Sequence, residues 1–481
     1  MNKFSKIFVT LCLMTAPVWV VSAQETELKE EPKIWSLEDC LQYGLKNHPK
    51  VVMADSDVKS AEASLLSAKG GFDPRISAST NWGNNKQRKI YNTTIKNDNG
   101  TISNVAVEGK KSDSHSESVS FSQKIYDFGR SSLQIKQARE SLKAAKKNRE
   151  TALIELASNI KTMYFKAQQA QCMLQVKLDT LAGYERHLNK VESFVEVGTH
   201  APYDITKAQV DVANARVDLI SAKNNLNQAL VNVGNAIGIE GPIHIAAYEV
   251  QTLPELDENA KVEFVKIALE RPDVKAAESN VKSARFSVRE AKCSLKPTIS
   301  SNAGYSWNGT STPQNNGWSV GLGVSWQIFD GRSTKASINR AQSSYERSKA
   351  SLDNLKLNID KEVENAVNDI VSDVQRVKAY EYVVRQASES LNLAEGRYDA
   401  GLSSPLEVTD ARVDYEKAEG NFISAYFDCL IAQTTLDSIL GKMPPEYGLN
   451  KAVEELHDNV TIEEDLEKKS DKLDIEFEAA E

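Results

Sequence analysis

The histidines are the first residues whose side chains could bind a metal or act in catalysis, and their spacing argues against both roles. The chain has 481 residues and six histidines, at His48, His115, His187, His200, His244 and His457. No two of them stand at the spacing of metal ligands, and no nucleophile motif surrounds any of them. The sequence therefore predicts no enzyme and neither a metal nor a cofactor site, and His200, at a turn, is interpreted as a surface residue.

The cysteines and the charge balance narrow the function further. Four cysteines far apart in the chain lack the close spacing of zinc ligands or of a small disulfide framework, and we interpret them as buried side chains: Cys40, Cys172, Cys293 and Cys429. The formal net charge of -9 argues against a nucleic-acid partner, because such proteins display a basic face. Much of the acidity lies in the segment 442–481, which is predicted to end in a solvated acidic tail.

The first 23 residues have the pattern of a secretory signal. Lysines precede an apolar run from Ile7 to Val21, and Val21-Ser22-Ala23 resembles a cleavage site. Cys12 is preceded by the bulky Leu11, which argues against a lipid anchor there. Beyond the signal there is no run of about 18 apolar residues, so the mature chain is either soluble or crosses a membrane as strands.

The rest of the chain contains one folding unit twice. Pro49 and Pro74 recur 223 positions later as Pro272 and Pro297, and a second set of residues recurs at an offset of 203: Asp127, Gly198 and Pro202 match Asp330, Gly401 and Pro405. A period of about 200 residues is too long for a solenoid, so the two halves are predicted to sit side by side. The first repeat spans 24–240, a linker spans 241–261, and the second repeat spans 262–441.

Each repeat begins with a helix and continues with strands. The helices, at 37–69 and 262–293, are predicted to break near Pro49 and Pro272. Hairpins follow at about 74–128 and 297–329, where apolar residues alternate with small or polar ones. Aromatic residues near the ends of strands of about ten residues are typical of a transmembrane β-barrel. The tip of the first hairpin is predicted at 97–100, within an external loop from about Gly83 to Ser116.

A very long helix follows each hairpin, at about 130–197 and 332–400. At 1.5 Å per residue, about 65 to 70 residues extend for roughly 100 Å. Apolar and small residues such as Ile359, Val363 and Ile370 recur at spacings of three and four, which is typical of a coiled-coil seam. An ordinary amphipathic core helix is the alternative. Each long helix ends at a glycine-containing turn, and a return helix runs from 202 to 237 or from 405 to 440.

Four strands cannot close a barrel, and open strand edges are not tolerated in lipid. The chain is therefore predicted to form oligomers, with strands through the membrane and helices that continue as a tube. A conduit fits this arrangement better than a catalyst. A secreted coiled-coil adaptor or structural fibre that never enters a membrane is the alternative class, although such a protein needs no alternating strands.

The chain resembles the TolC/OprM outer-membrane efflux proteins. The resemblance rests on the repeat, on the hairpin endings Tyr126-Asp127-Phe128-Gly129-Arg130 and Phe329-Asp330-Gly331-Arg332, and on the turns after the long helices. It implies an α+β membrane protein whose homotrimer joins a twelve-stranded barrel to a twelve-helix coiled-coil tunnel. In this family an inner-membrane RND or ABC pump and a periplasmic adaptor deliver small molecules to the tunnel. An exit duct for type I protein secretion is the alternative.

The resemblance also implies site residues. The adaptor-docking tips carry over to the two turns, Val197-Gly198-Thr199 and Ala400-Gly401-Leu402. Two acidic positions that ring the periplasmic entrance fall on Glu407 and Asp410, and a tyrosine–acid pair that holds the gate shut falls on Tyr398 and Asp204. A gate arginine of the family is replaced here by Ser403, so the latch is expected to be weaker or built from other residues.

Helix capping is an alternative role for two of these acids. Ser404-Pro405-Leu406-Glu407 has the pattern of a capping box, in which Glu407 would satisfy backbone N–H groups at the helix start. Asp204 is favoured near a helix N-terminus by the helix dipole. If three copies of Glu407 and Asp410 converge on a narrow opening, their field would favour cations.

Overall fold

The computed structural model describes residues 34–86, 91–96, 102–107, 111–198, 201–248, 253, 261–309 and 315–442. Several predicted features lie outside these residues. They are the signal peptide with Cys12, the hairpin tip 97–100, Thr199 and His200 of the first turn, most of the linker, His457 and the acidic tail.

The two repeats share one order of main elements: two helices, a strand hairpin, a long helix and a return helix. The first contains β1 (Ile34–Trp35), α1 (Leu37–Asn47), α2 (Pro49–Lys69), β2 (Arg75–Lys86), β3 (Tyr91–Lys96), β4 (Ile102–Val107), β5 (Lys111–Tyr126), α3 (Arg130–Glu196), α4 (Pro202–Ile237) and β6 (His244–Ile245). The second contains α5 (Lys261–Ala268), α6 (Pro272–Cys293), β7 (Thr298–Gly309), β8 (Asn315–Ser325), α7 (Ser333–Asp399) and α8 (Pro405–Ile439). The short strands β1, β3, β4 and β6 are additional elements of the first repeat.

The main sheet has the antiparallel order β2-β5-β7-β8, so strands of the two repeats meet between β5 and β7. The first hairpin differs from the prediction. β2 and β5 remain paired as far as Lys86 and Lys111, and β3 pairs with β4 inside the segment predicted to be a loop. Backbone hydrogen bonds need no apolar alternation, so polar stretches can extend strands that the hydrophobic pattern does not reveal.

The hairpin endings noted in the sequence start the two long helices. The Asp127 carboxylate accepts a hydrogen bond from the backbone N–H of Ser131 at 2.9 Å, and the Asp330 carboxylate accepts one from Thr334 at 2.6 Å. Between each aspartate and its helix, two residues take a left-handed backbone; in the second repeat these are Gly331 and Arg332. Each aspartate thereby satisfies donors that a helix start leaves free, and the chain turns from strand into helix.

Two apolar clusters hold the helices together around the middle of α3 and α7. The larger one joins α1, α3, α4 and α8, and includes Leu41, Ile160 and Phe427. The smaller one packs the seam residues Ile359, Val363 and Ile370 of α7 against Leu436 of α8. These three residues of the predicted seam are thus buried. Across the part of the chain described, none of the helices is both long and apolar enough to cross a membrane.

Candidate functional site at the helical tips

The site predicted from the sequence lies where the two long helical hairpins end. α3 leads to α4 and α7 leads to α8 through glycines with left-handed backbones, Gly198 at φ 83° and Gly401 at φ 72°. The Leu402 N–H donates to the Arg397 carbonyl at 2.8 Å and the Gly401 N–H donates to the Tyr398 carbonyl at 2.9 Å, which closes the end of α7. Glycine at these positions allows the abrupt reversal that brings α8 back along α7.

Tyr398 is the centre of the contact between the two hairpins. Its side chain is 2% exposed and packs with Val191 and Ala208 of the first hairpin and with Val408 of the second. The centroid of the His187 ring lies 5.3 Å from the centroid of the Tyr398 ring. Burial raises the pKa of the Tyr398 hydroxyl, and the carboxylates of Asp204 and Asp399 raise it further. The structure therefore brings the predicted pair Tyr398 and Asp204 close enough to interact electrostatically.

Glu407 lies in a small polar network across the second turn. One carboxylate oxygen accepts a hydrogen bond from the Ser403 hydroxyl at 2.6 Å, and the other lies 3.0 Å from the Arg397 guanidinium. The Ser404 hydroxyl accepts from the Glu407 N–H at 3.4 Å, which is half of the predicted capping box. The Glu407 carboxylate does not complete the box, because it points toward Arg397 and Ser403 and not toward the Ser404 backbone.

Asp410 differs from Glu407. Its side chain is exposed one turn farther along α8, and it makes no ion pair or hydrogen bond with any residue that the structure describes. Its charge is therefore unpaired within the described part of one chain. The tips themselves present apolar side chains to solvent: Val197 is 78% exposed and Leu402 is 72% exposed.

Three basic residues that join the helices were missed by the sequence analysis. Arg397 holds Glu407, Lys190 of α3 lies 2.9 Å from Asp399 of α7, and the buried Arg412 of α8 pairs with Glu395 of α7. The Arg397–Glu407 pair could have been predicted, because a basic residue in the last turn of α7 and an acid in the first turn of α8 are close in the sequence. Contacts between α3 and α7 have no local signal.

Arg412 occupies a space that Gly183 leaves open. A Cβ atom at Gly183 would lie 1.9 Å from a guanidinium nitrogen of Arg412, and the guanidinium carbon lies 5.6 Å from the centroid of the Tyr184 ring. Burial lowers the pKa of the neighbouring His187, and the positive charge of Arg412 lowers it further. A neutral His187 beside a charged Arg412 follows from this arrangement.

A second polar contact joins three helices farther from the tips. Lys177 of α3 lies 3.1 Å from Asp218 of α4 and also pairs with Glu416 of α8. An open-sided cavity of about 540 Å³ adjoins these residues. Burial raises the pKa of the nearby Glu419, as do Asp179 and Glu416. Among the residues that the structure describes, no group of His, Cys, Asp and Glu is arranged to hold a metal ion.

The comparison with protein families decides what these helices and strands belong to. The sequence profile of the family "Outer membrane efflux protein" matches residues 41–239 and 265–442, which is most of both repeats. The chain belongs to the outer membrane efflux protein family. Its fold is the helical channel-tunnel fold of that family. The protein lies in the cell outer membrane and extends into the periplasm, and its family is one of transport proteins and not of enzymes.

Individual relatives agree with this assignment. The chain is 22% identical over 326 residues to the solvent efflux pump outer membrane protein SrpC of Pseudomonas putida, covering 65% of this chain and 68% of SrpC. It is 20% identical over 462 residues to the outer membrane protein TolC of Vibrio cholerae, covering 92% and 96% of the two chains. The crystal structure of the outer membrane protein VceC of Vibrio cholerae superposes with a TM-score of 0.69 at 16% identity, over 84% of this chain and 96% of VceC.

Proposed function

We propose that three copies of this chain form an outer-membrane duct for small molecules. The observation that carries the proposal is the shape of one repeat: a strand hairpin at one end, and at the other a helical hairpin whose long helix has 67 residues. Such a helix extends for about 100 Å. Three four-stranded sheets supply the twelve strands of a barrel, and three pairs of helical hairpins supply a twelve-helix tunnel toward the periplasm.

The helical tips are, in this proposal, both the docking surface and the gate. A periplasmic adaptor, delivering substrate from an inner-membrane pump of the RND or ABC class, would contact the two tips, Val197-Gly198-Thr199 and Ala400-Gly401-Leu402. Val197 and Leu402 are the exposed apolar side chains described there. Apolar side chains at an exposed turn are costly unless a partner covers them, which supports a docking role.

The closed end would be held by the contacts around Tyr398 and by the Arg397–Glu407 pair. Arg397 supplies a positive charge at the turn where the family's gate arginine is replaced by Ser403, and its pairing with Glu407 would fix the turn between α7 and α8 so that Tyr398 keeps its contacts with the first hairpin. Asp410, unpaired among the described residues of one chain, would line the narrow opening in three copies. Solvent and small-molecule transport is inferred from relatives such as SrpC, whose name states solvent efflux.

Reconstitution tests the duct itself. Full-length protein extracted from outer membranes should migrate as a heat-modifiable oligomer and conduct ions in planar bilayers, whereas heat-dissociated protein should not. A monomer that is soluble without detergent would contradict the proposal. Leu402→Asp should then abolish complementation of a strain lacking the gene, measured as solvent or antibiotic tolerance, while conductance remains. Leu402→Met is the matched control, and equal loss in both variants would exclude apolar docking at this tip.

A further inference from the structure

The open-sided cavity beside Lys177 has no role in the proposed duct, and its size and lining suit a small ligand. Its volume is about 540 Å³, and small-molecule sites typically have about 300 to 1,000 Å³. One face of α3, which carries Met173, Thr180 and Tyr184, lines the cavity together with residues of α4 and α8. The cavity therefore lies between the two helical hairpins, where α3 of the first meets α8 of the second.

The charged groups of the cavity leave one carboxylate without a partner. Lys177 lies 3.1 Å from Asp218 and also pairs with Glu416, so one ammonium group serves two acids. Asp211 of α4 makes no ion pair or hydrogen bond with any residue that the structure describes. Three carboxylates and two lysine ammonium groups line the cavity, so its lining has a net charge of −1. A monovalent cation would balance this charge.

Asp211 lies in surroundings that disfavour its charged form. Its side chain is half-buried, and this burial raises the pKa of the carboxyl, whereas the positive charge of Lys207 lowers it. Burial also raises the pKa of the Tyr184 hydroxyl, and the carboxylates of Glu416 and Asp211 raise it further, so Asp211 lies near this ring. A carboxylate that loses water without gaining an opposite charge is destabilised, and a cationic ligand would supply that charge.

Apolar groups beside Asp211 suit the carbon skeleton of a ligand. The ring of Tyr184, the thioether of Met173 and the side chain of Val413 line the same cavity, and Val413 is 48% exposed in the chain. Gly420 leaves room for Met173, since a Cβ atom at the glycine would lie 3.2 Å from the Met173 methyl carbon. Aromatic rings attract organic cations, and thioethers adapt to irregular apolar shapes.

We propose that this cavity binds a small organic ammonium ion, with Asp211 as its counter-ion and Tyr184 and Val413 against its apolar body. The proposal goes beyond the duct, because conduction through a tunnel requires no binding site between its helical hairpins. The ammonium group donates hydrogen bonds to the carboxylate, and the carbon skeleton covers apolar side chains that water would otherwise contact. A neutral molecule of the same size satisfies only the second requirement.

The internal repeat provides matched control positions. The offset of 203 relates Asp211 of α4 to Asp414 of α8, and it relates Val210 of α4 to Val413 of α8. Asp211 and Val413 line the cavity, whereas their repeat equivalents Asp414 and Val210 are exposed outside it. Each test substitution therefore has a counterpart of the same residue type at the same position of the other return helix.

Binding of two matched probes to the full-length protein in non-ionic detergent tests the proposal. Near neutral pH, phenylbutylamine carries a positive charge, and phenylbutanol has the same number of heavy atoms without the charge. Ligand-observed NMR should give the amine a Kd about tenfold lower than that of the alcohol. Asp211→Asn should weaken binding of the amine about tenfold and leave the alcohol unchanged, whereas Asp414→Asn should change neither. Val413→Ala should weaken both probes about threefold, and Val210→Ala should weaken neither.

Several results would overturn the site. They are equal Kd values of the two probes for the wild-type protein, no saturable binding of the amine, and an equal effect of Asp211→Asn and Asp414→Asn. Loss of amine binding in Asp211→Asn together with unchanged binding of both probes in Val413→Ala would exclude the cavity as the place where the amine lies. The conductance of the same preparations in planar bilayers reports on the duct separately, so the ligand site can fail while conduction persists.

Discussion

Removal of the Arg397 guanidinium should open the closed tip, and the size of the effect follows from its surroundings. Arg397 and Glu407 are 3.0 Å apart, and their side chains are 57% and 42% exposed. Water screens such a pair, so it contributes about 0.2 to 1 kcal/mol. With about 0.5 kcal/mol in each of three copies that open together, Arg397→Ala costs the closed state about 1.5 kcal/mol. That is about a tenfold rise in the ratio of open to closed channels.

Single-channel recording in planar bilayers measures this ratio directly. The rise should be clear in 0.1 M salt and should shrink in 1 M salt, where the Debye length falls from about 10 Å to about 3 Å. Ser403→Ala should act in the same direction, since it removes the 2.6 Å hydrogen bond to the same carboxylate. Glu407→Gln should also favour opening, but without the gain in cation preference that Arg397→Ala brings by leaving the acid unpaired.

The matched control is Arg385→Ala. Arg385 lies on the same helix and pairs with Glu381 at 3.7 Å, with both side chains more than half exposed, but this pair joins residues of a single helix. Arg385→Ala should therefore leave the ratio of open to closed channels unchanged. The reasoning is refuted if Arg397→Ala leaves the ratio unchanged in low salt, or if Arg385→Ala raises it equally.

Three further predictions concern packing, pH and selectivity. Gly396→Ala, whose added Cβ would meet nothing within 4 Å, should raise the thermal midpoint, because alanine is favoured over glycine inside a helix by about 1 kcal/mol. Gly183→Ala should show a lower midpoint than Gly396→Ala, because its Cβ would displace the Arg412 guanidinium from Glu395 and Tyr184, and an equal rise in both variants would contradict this packing. The lowered pKa of His187 means that the unfolded chain binds its proton first, so stability should fall as the pH drops below about 6.5. His187→Phe should flatten the dependence of the thermal midpoint between pH 7.5 and 5.5, and an unchanged slope would exclude this histidine. Asp410→Asn should reduce cation selectivity and block by multivalent cations, measured as reversal potential in a salt gradient; unchanged selectivity would remove Asp410 from the opening.

Much of the fold was accessible from the sequence because its signals are local and repeated. The two offsets, the breaks before Pro49 and Pro272 and the turns at Gly198 and Gly401 are all properties of neighbouring residues. The long helices were predicted from a spacing of three and four, and α3 and α7 occupy nearly the predicted ranges. β3 and β4 were missed because the sequence around them is polar and the whole stretch from about Gly83 to Ser116 was interpreted as a loop, although Tyr91, Thr93 and Ile95 of β3 alternate with polar neighbours.

The candidate site, like the fold, was predicted only in part from the sequence. The positions of Tyr398, Asp204, Glu407 and Asp410 at the tips follow from the order of the turns, and their gating role stays a prediction. The sequence pattern of a capping box suggested that Glu407 satisfies its own helix start. In the structure a neighbouring hydroxyl and the guanidinium of Arg397 compete for the carboxylate, and a charge-assisted pair is the stronger acceptor contact.

The amino-acid sequence alone determined the duplicated unit, the change from strand to long helix and the places where each helix turns back, since each depends on residues close together in the chain. Tertiary structure alone decided which charges meet across the two hairpins. Lys190 and Asp399 are 209 positions apart, Lys177 and Glu416 are 239 apart, and no local pattern relates the members of either pair. Their pairing depends on the relative placement of two helices, which the packing around Tyr398 sets.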